Sequence, residues 1–270
     1  VIEQYGPDWG VRALYVMMLI LYIGSGLIIQ RYLKETAVNA DQKIDAGAIW
    51  ASIKQAYGGL PGLFNGLPRS VWALTGVIIL SFMTNGIATA FWVVYAIEEI
   101  GLSPTDWGLI LLMETLARNL LFIPGGMLVD RVGRTVALCG ALALALLAMP
   151  LFVLATGMFS VLAVRLIIVM GQALMIPAST ALMADSVPRQ MRGRVMAATG
   201  QGGIMIGAAG GGTGGPGTGY LITLPIMVSS LLGGYLYAAD PAYPWYVTSA
   251  LMALAICLAV LFIRDPKIAE

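Results

Sequence analysis

Histidine is absent from this chain, and cysteine occurs only at Cys139 and Cys257. Both cysteines fall within apolar runs, so neither a Cys/His metal cluster nor a Cys–His nucleophile can be assembled, and no cofactor is implied. Charge is also scarce: Asp, Glu, Lys and Arg make up 11% of the 270 residues, against about a quarter in a soluble domain. With a net charge of +1 and basic residues spread singly along the chain, a nucleic-acid partner is excluded. What is abundant is apolar. Hydrophobic residues account for 59% of the chain and the mean hydropathy is +0.86, which points to a protein whose solvent is the lipid bilayer rather than water.

The chain is organised around Gly125-Gly126-Met127-Leu128-Val129-Asp130-Arg131-Val132-Gly133-Arg134-Thr135, a short charged hinge between two apolar runs. Each run is long enough to cross the roughly 30 Å hydrocarbon core as a helix of about 20 residues. Asp130, Arg131 and Arg134 therefore belong where two spans meet water, and the arginines mark that side as cytoplasmic. Gly125 and Gly126 remove bulk at the end of the first run and allow close helix approach. Asp130 and Gly133 suit a tight reversal, with the Asp130 carboxylate expected near the positive end of the following helix.

Read in order, the chain predicts seven spans. They are Gly10 to Gln30, Val71 to Ala96, about Asp106 to Val129, Val136 to about Thr156, about Phe159 to Ala184, one crossing within Val195 to Ala239, and Pro244 to Ile263. Ser103-Pro104-Thr105-Asp106 reads as a capping box opening the third. Ile49, Ile53 and Tyr57 share a helical face and predict a short amphipathic helix on the inner surface, in a segment that reads as either a lipid or partner contact or a plain linker. The segment from Val195 to Ala239 is too long for one ordinary helix and is rich in glycine between Gly207 and Gly219. Because Arg264 and Lys267 belong inside, an odd number of crossings is required. The expectation is one crossing interrupted by an irregular glycine-rich stretch, which either contributes backbone groups to a substrate or ion site or extends as an exposed loop or a close-packing helix. With this threading, twelve of the 15 Lys/Arg residues fall on the inner side.

Gly126-Met127-Leu128-Val129-Asp130-Arg131-Val132-Gly133-Arg134 resembles the G-x-L-a-D-r-x-G-r/k signature of the major facilitator superfamily, found between the second and third helices of a six-helix half; Thr135 stands where a basic residue is usual. Asp185-Ser186-Val187-Pro188-Arg189-Gln190-Met191-Arg192-Gly193-Arg194 is similar to the D/E-x-x-P-x-x-x-R-G-r segment that these proteins carry two helices later. The resemblance implies an all-α polytopic membrane protein in the cell membrane. Residues 1–34 would be the equivalent of the sixth helix, 35–70 a cytoplasmic linker, 71–264 the C-terminal six-helix half, and 265–270 a cytoplasmic tail. The chain, which opens on Val1, is then expected to be a fragment whose partner is the N-terminal half of the same protein. The implied activity is secondary transport of a small solute by alternating access, driven by a proton or another ion gradient. Gly126, Asp130, Arg131, Gly133 and Arg134 would belong to a cytoplasmic latch, with Asp185 and Arg192 as charge partners. A membrane interaction or receptor protein that kept the fold without transport is the alternative; an enzyme is disfavoured by the missing histidine and nucleophile motif.

Function in such a chain is sought where charge enters the membrane, because an ionised group in hydrocarbon is costly and faces a cavity or a partner. Glu114 and Arg118 fall near mid-membrane as an i,i+4 pair in the favourable acid-first order. They form either a self-neutralising structural pair or a working one, in which Glu114 takes part in proton coupling or substrate binding and Arg118 sets its affinity. Arg165 lies closer to the outer surface, placed either to snorkel outward or to face the pathway. In the family a comparable arginine precedes a glycine four residues on, whereas here Gly171 lies six residues on. Asn85, Gln172 and Gln201 are further pathway candidates, since amides in spans otherwise serve as interhelical hydrogen-bond partners. Trp92, Tyr95, Trp107, Trp245 and Tyr246, near outer span ends, are expected to anchor the interface.

Overall fold

The computed structural model describes residues 7–32, 67–200 and 219–265, and among these every regular element is a helix. The chain divides into two units, Val1–Gln55 and Ala56–Glu270. In the first lies α1, Pro7–Tyr32. The second holds α2, Arg69–Ala88; α3, Phe91–Glu98; α4, Pro104–Val132; α5, Arg134–Val153; α6, Met158–Ser186; α7, Arg189–Thr199; α8, Tyr220–Ala239; and α9, Tyr243–Phe262. Seven of these helices are long and apolar enough to cross a membrane, as an all-α polytopic membrane protein requires. The amphipathic helix expected around Ile49, Ile53 and Tyr57, the stretch from Gly207 to Pro216, Gln201 and the tail from Pro266 onward lie outside the described residues.

The chemistry of each helix end accounts for where it stops. Ser103 caps α4: its Oγ accepts from the Asp106 N–H at 3.1 Å, and the Ser103 N–H donates to Asp106 Oδ2 at 3.1 Å. That reciprocal pair satisfies donors that would otherwise be left bare at the helix start. The span read as continuous from Val71 to Ala96 is two helices, because the ladder is interrupted at Thr89 and Ala90. There the Thr89 hydroxyl turns back on the Asn85 carbonyl at 2.7 Å, the local bonding by which threonine competes with a helix.

At the hinge, α4 and α5 are separated by Gly133 alone, held at φ +93°, a region that favours glycine. The carboxylate at the start of α5 is not Asp130, which is exposed. Asp265, just past the end of α9, accepts from the Thr135 N–H at 2.9 Å and from its hydroxyl at 2.8 Å. A residue 130 positions away thus supplies the cap, a placement that only the return of α9 to this face creates. The Ser70 hydroxyl donates to the Phe262 carbonyl at 3.0 Å, tying the start of α2 to the same corner.

Small residues set how closely the helices cross. A Cβ added to Gly125 would stand 2.6 Å from the Ala173 carbonyl oxygen, and one added to Gly233 would stand 2.6 Å from that of Ile87; α4 on α6 and α8 on α2 therefore pack backbone against backbone. Gly126 behaves otherwise, since a Cβ there would meet nothing. The crossing expected within Val195 to Ala239 is α8, and its helix is uninterrupted from Tyr220 to Ala239. Gly219 lies directly against Ala198 and Gly200 at the end of α7. Buried side chains gather in two clusters, one around Leu74, Ile78, Leu138 and Leu182, the other around Trp92, Ile110, Phe152 and Trp245.

Candidate functional site

Three ionised side chains meet within the second unit. Glu114, on α4, has a side chain only 4% exposed. Arg118, one turn further along α4, donates from Nη2 to Glu114 Oε1 at 2.5 Å. From α6, Arg165 donates from Nε to Glu114 Oε2 at 2.7 Å, and its Nη2 donates to the same oxygen. A single carboxylate is thus shared between two guanidiniums. At 1.5 Å rise per residue Glu114 lies about 15 Å along α4 and Arg165 about 10 Å along α6. The two helices start on the same side, so the long arginine side chain closes the remaining gap.

Arg165 does not snorkel to the outer surface. Its guanidinium carbon lies 4.6 Å from the Trp92 ring centroid and 5.8 Å from that of Trp107, within the range where a ring face attracts a cation. The two indoles cover it on the side where it would have escaped. Trp92, Tyr95, Trp107 and Trp245, expected as interfacial anchors, are buried instead, and Tyr246 is the member of that set left exposed. Trp92, Phe152 and Trp245 contact one another with centroids 4.4 to 4.7 Å apart, bringing together α3, α5 and α9. The reason is geometric: the break after α2 lets α3 carry its aromatic face over the bundle.

The two arginines are not equivalent. The Arg165 side chain is 13% exposed, whereas that of Arg118 is 31% exposed. Arg118 Nε has no hydrogen-bond partner among the described residues. Beside it Thr115 and Asn119 are exposed, their side chains turned onto the helix backbone, Thr115 Oγ1 to the Leu111 carbonyl at 2.7 Å and Asn119 Nδ2 to the Thr115 carbonyl at 2.9 Å. Glu114, Thr115, Arg118 and Asn119 form a polar stripe at i, i+1, i+4 and i+5 in the middle of an apolar helix. Thr115 and Asn119 were not singled out from the sequence, although that spacing was the available signal. Neither Asn85 nor Gln172 takes part in the cluster's hydrogen bonds: Asn85 is exposed and bonded to Thr89, and Gln172 is half-buried two turns past Arg165.

A second group of charges lies at the C-terminal end of α4. Arg134, the first residue of α5, forms an ion pair with Asp185 near the end of α6; the two side chains are 32% and 44% exposed. Asp130 and Arg131 are exposed, and Arg192 is partly buried on α7, its Nε without a partner among the described residues. The start of α5 and the end of α6 are therefore joined through Arg134 and Asp185, while Gly133 makes the reversal possible.

A bundle of apolar helices with a shared charge cluster inside it defines a multi-pass membrane protein. The family model of the Major Facilitator Superfamily matches residues 5–212 and, in a second match, residues 73–270. The chain belongs to the major facilitator superfamily, a family of membrane transporters rather than enzymes. It is 28% identical over 204 residues to the quinolone resistance protein NorA of Staphylococcus aureus strain MRSA252, and that match covers 74% of this chain and 46% of the relative. The proteins of the same name from strains Mu50 / ATCC 700699 and N315 are 27% identical over the same length. The chain spans about half the length of the curated relatives it matches.

Proposed function

We propose that this chain is the C-terminal half of a secondary transporter that moves a small solute by alternating access, coupled to a proton or other ion gradient. In this reading residues 1–34 correspond to the sixth helix, 35–70 to the cytoplasmic linker, 71–264 to the six-helix half and 265–270 to a cytoplasmic tail, and the N-terminal half of the same protein completes the pathway. The observation that carries it is Glu114, nearly inaccessible and held by two arginines within the bundle. Removing two or more ions from water costs more than their attraction returns, so such a cluster is poor scaffolding and well suited to changing its charge during a cycle. A proton reaching Glu114 would release both guanidiniums at once and alter how α4 and α6 hold each other. The relatives' name ties them to quinolone resistance, which makes export of a small organic compound the first direction to measure.

At the inner face, Arg134 and Asp185, with Gly126, Asp130, Arg131, Gly133 and Arg192 around them, serve as the latch that closes in one state and opens in the other. The decisive experiment is flux by the complete protein in proteoliposomes across a range of pH, wild type against Glu114→Gln. Loss of the pH dependence is the expected result; pH-dependent flux that is unaltered in the variant removes Glu114 from coupling. For the latch, Arg134→Asp and Asp185→Arg should each slow flux and the doubly exchanged protein should regain it. Failure of the exchange to restore flux counts against a charge-based latch.

A further inference from the structure

The charge cluster does not balance. Glu114 contributes one negative charge while Arg118 and Arg165 contribute two positive ones, leaving a surplus of one positive charge at a depth where ionised groups are strongly disfavoured. Among the described residues the elements packed around it bring no second carboxylate to the cluster, Asp130 lying exposed at the far end of α4. The charged residue of α5 is Arg134 at its far end, that of α3 is Glu98 at its C-terminus, and α6 adds Asp185 only at the inner face. Asp106 on α4 is already committed to the Ser103 cap. Arg165 is spent as well, held by Glu114 and covered by Trp92 and Trp107. The surplus therefore resides on Arg118, the more exposed of the two arginines, which stands in the polar stripe with Thr115 and Asn119 and whose Nε is buried with no hydrogen-bond partner among the described residues.

We propose that Arg118 is an anion-binding group: the ligand of this site carries a carboxylate or a similar oxyanion, which docks on Arg118 and brings the cluster to neutrality. A planar guanidinium suits this task because it presents several donors to two oxygens at once. The ligand anion and Glu114 compete for the same guanidinium, so any change that neutralises Glu114 strengthens anion binding. The inference rests on the transport reading for its location in a pathway, but its test is a binding measurement that needs no flux.

Equilibrium binding of radiolabelled benzoate to the complete protein in lipid nanodiscs, corrected for empty nanodiscs, compares it with benzyl alcohol, its uncharged near-isostere. Benzoate should bind saturably and at least about tenfold more tightly, the size of one charge-assisted interaction. Arg118→Gln should remove that preference, Arg118→Lys should retain part of it, and Glu114→Gln should increase benzoate affinity several-fold while leaving benzyl alcohol unchanged. Equal binding of the two probes overturns the proposal, and so does benzoate affinity that survives Arg118→Gln in a folded variant. Should Arg118→Gln fail to fold, the rise in Glu114→Gln and the partial retention in Arg118→Lys decide the matter, and absence of both overturns it. Benzoate preference in a protein whose pH-dependent flux ignores Glu114→Gln would leave the anion site standing and sink proton coupling; the reverse pattern would do the opposite.

Discussion

The two charge clusters, one midway along α4 and one where α5 begins beyond its end, use the same chemical groups and are different interactions. At Glu114 a carboxylate with 4% side-chain exposure is shared by two arginines; at Asp185 a carboxylate with 44% exposure meets one. Water and salt reach the second pair and screen it, so its contribution to stability falls in the range of about 0–1 kcal/mol. In the first cluster the Glu114 carboxylate itself is shielded from both, although Arg118 is 31% exposed. There the ions hold each other because nothing else will, and loss of one partner strands the others.

That contrast can be broken in a graded series, each variant made in the complete protein and followed by thermal unfolding. The largest effect belongs to Glu114→Ala, which leaves two guanidiniums within the bundle without their carboxylate and should destabilise by about 3–5 kcal/mol; a loss under 1 kcal/mol would mean that water or another carboxylate serves the arginines. Next comes Gly133→Ala, which forces a Cβ onto a residue at φ +93° and 3.0 Å from Asp265 Oδ2, for a cost of about 1–3 kcal/mol. Asp265→Ala should follow at about 1 kcal/mol, the ordinary value of a helix cap. Smallest is Asp185→Asn, at under about 1 kcal/mol. Its residual effect should vanish in high salt while that of Glu114→Ala persists. A salt-insensitive loss at Asp185 would erase the distinction between the two clusters.

The legible parts of the molecule were those fixed by neighbours in sequence. Apolar runs of about 20 residues can only be spans, and Ser103 with Asp106 can be recognised as a cap because both members lie within one turn. Glu114 and Arg118 paired as their i,i+4 spacing requires. Gly125 signalled close packing and Gly126 did so equally, yet only the first faces another helix, because which side of α4 meets α6 is not written in a glycine pair. Arg165 was ambiguous for a similar reason: its depth was readable, but the indoles that cover it come from α3 and the start of α4. The four buried aromatic residues looked like anchors from their places at span ends. They are core residues because Trp92 and Tyr95 on α3, Trp107 on α4 and Trp245 on α9 pack into one cluster around Phe152.

By itself the sequence determined that this protein lives in a bilayer, roughly how many helices are apolar enough to cross it, and where the chain reverses at Gly133, since apolar length and glycine placement are properties of the chain alone. Only the tertiary structure decided which distant groups meet: that Arg165 joins Arg118 on Glu114, that Asp265 and not Asp130 caps α5, and that Gly200 and Gly219 stand side by side. Each of those contacts joins residues far apart in the chain, and helix packing alone fixes the distance between them.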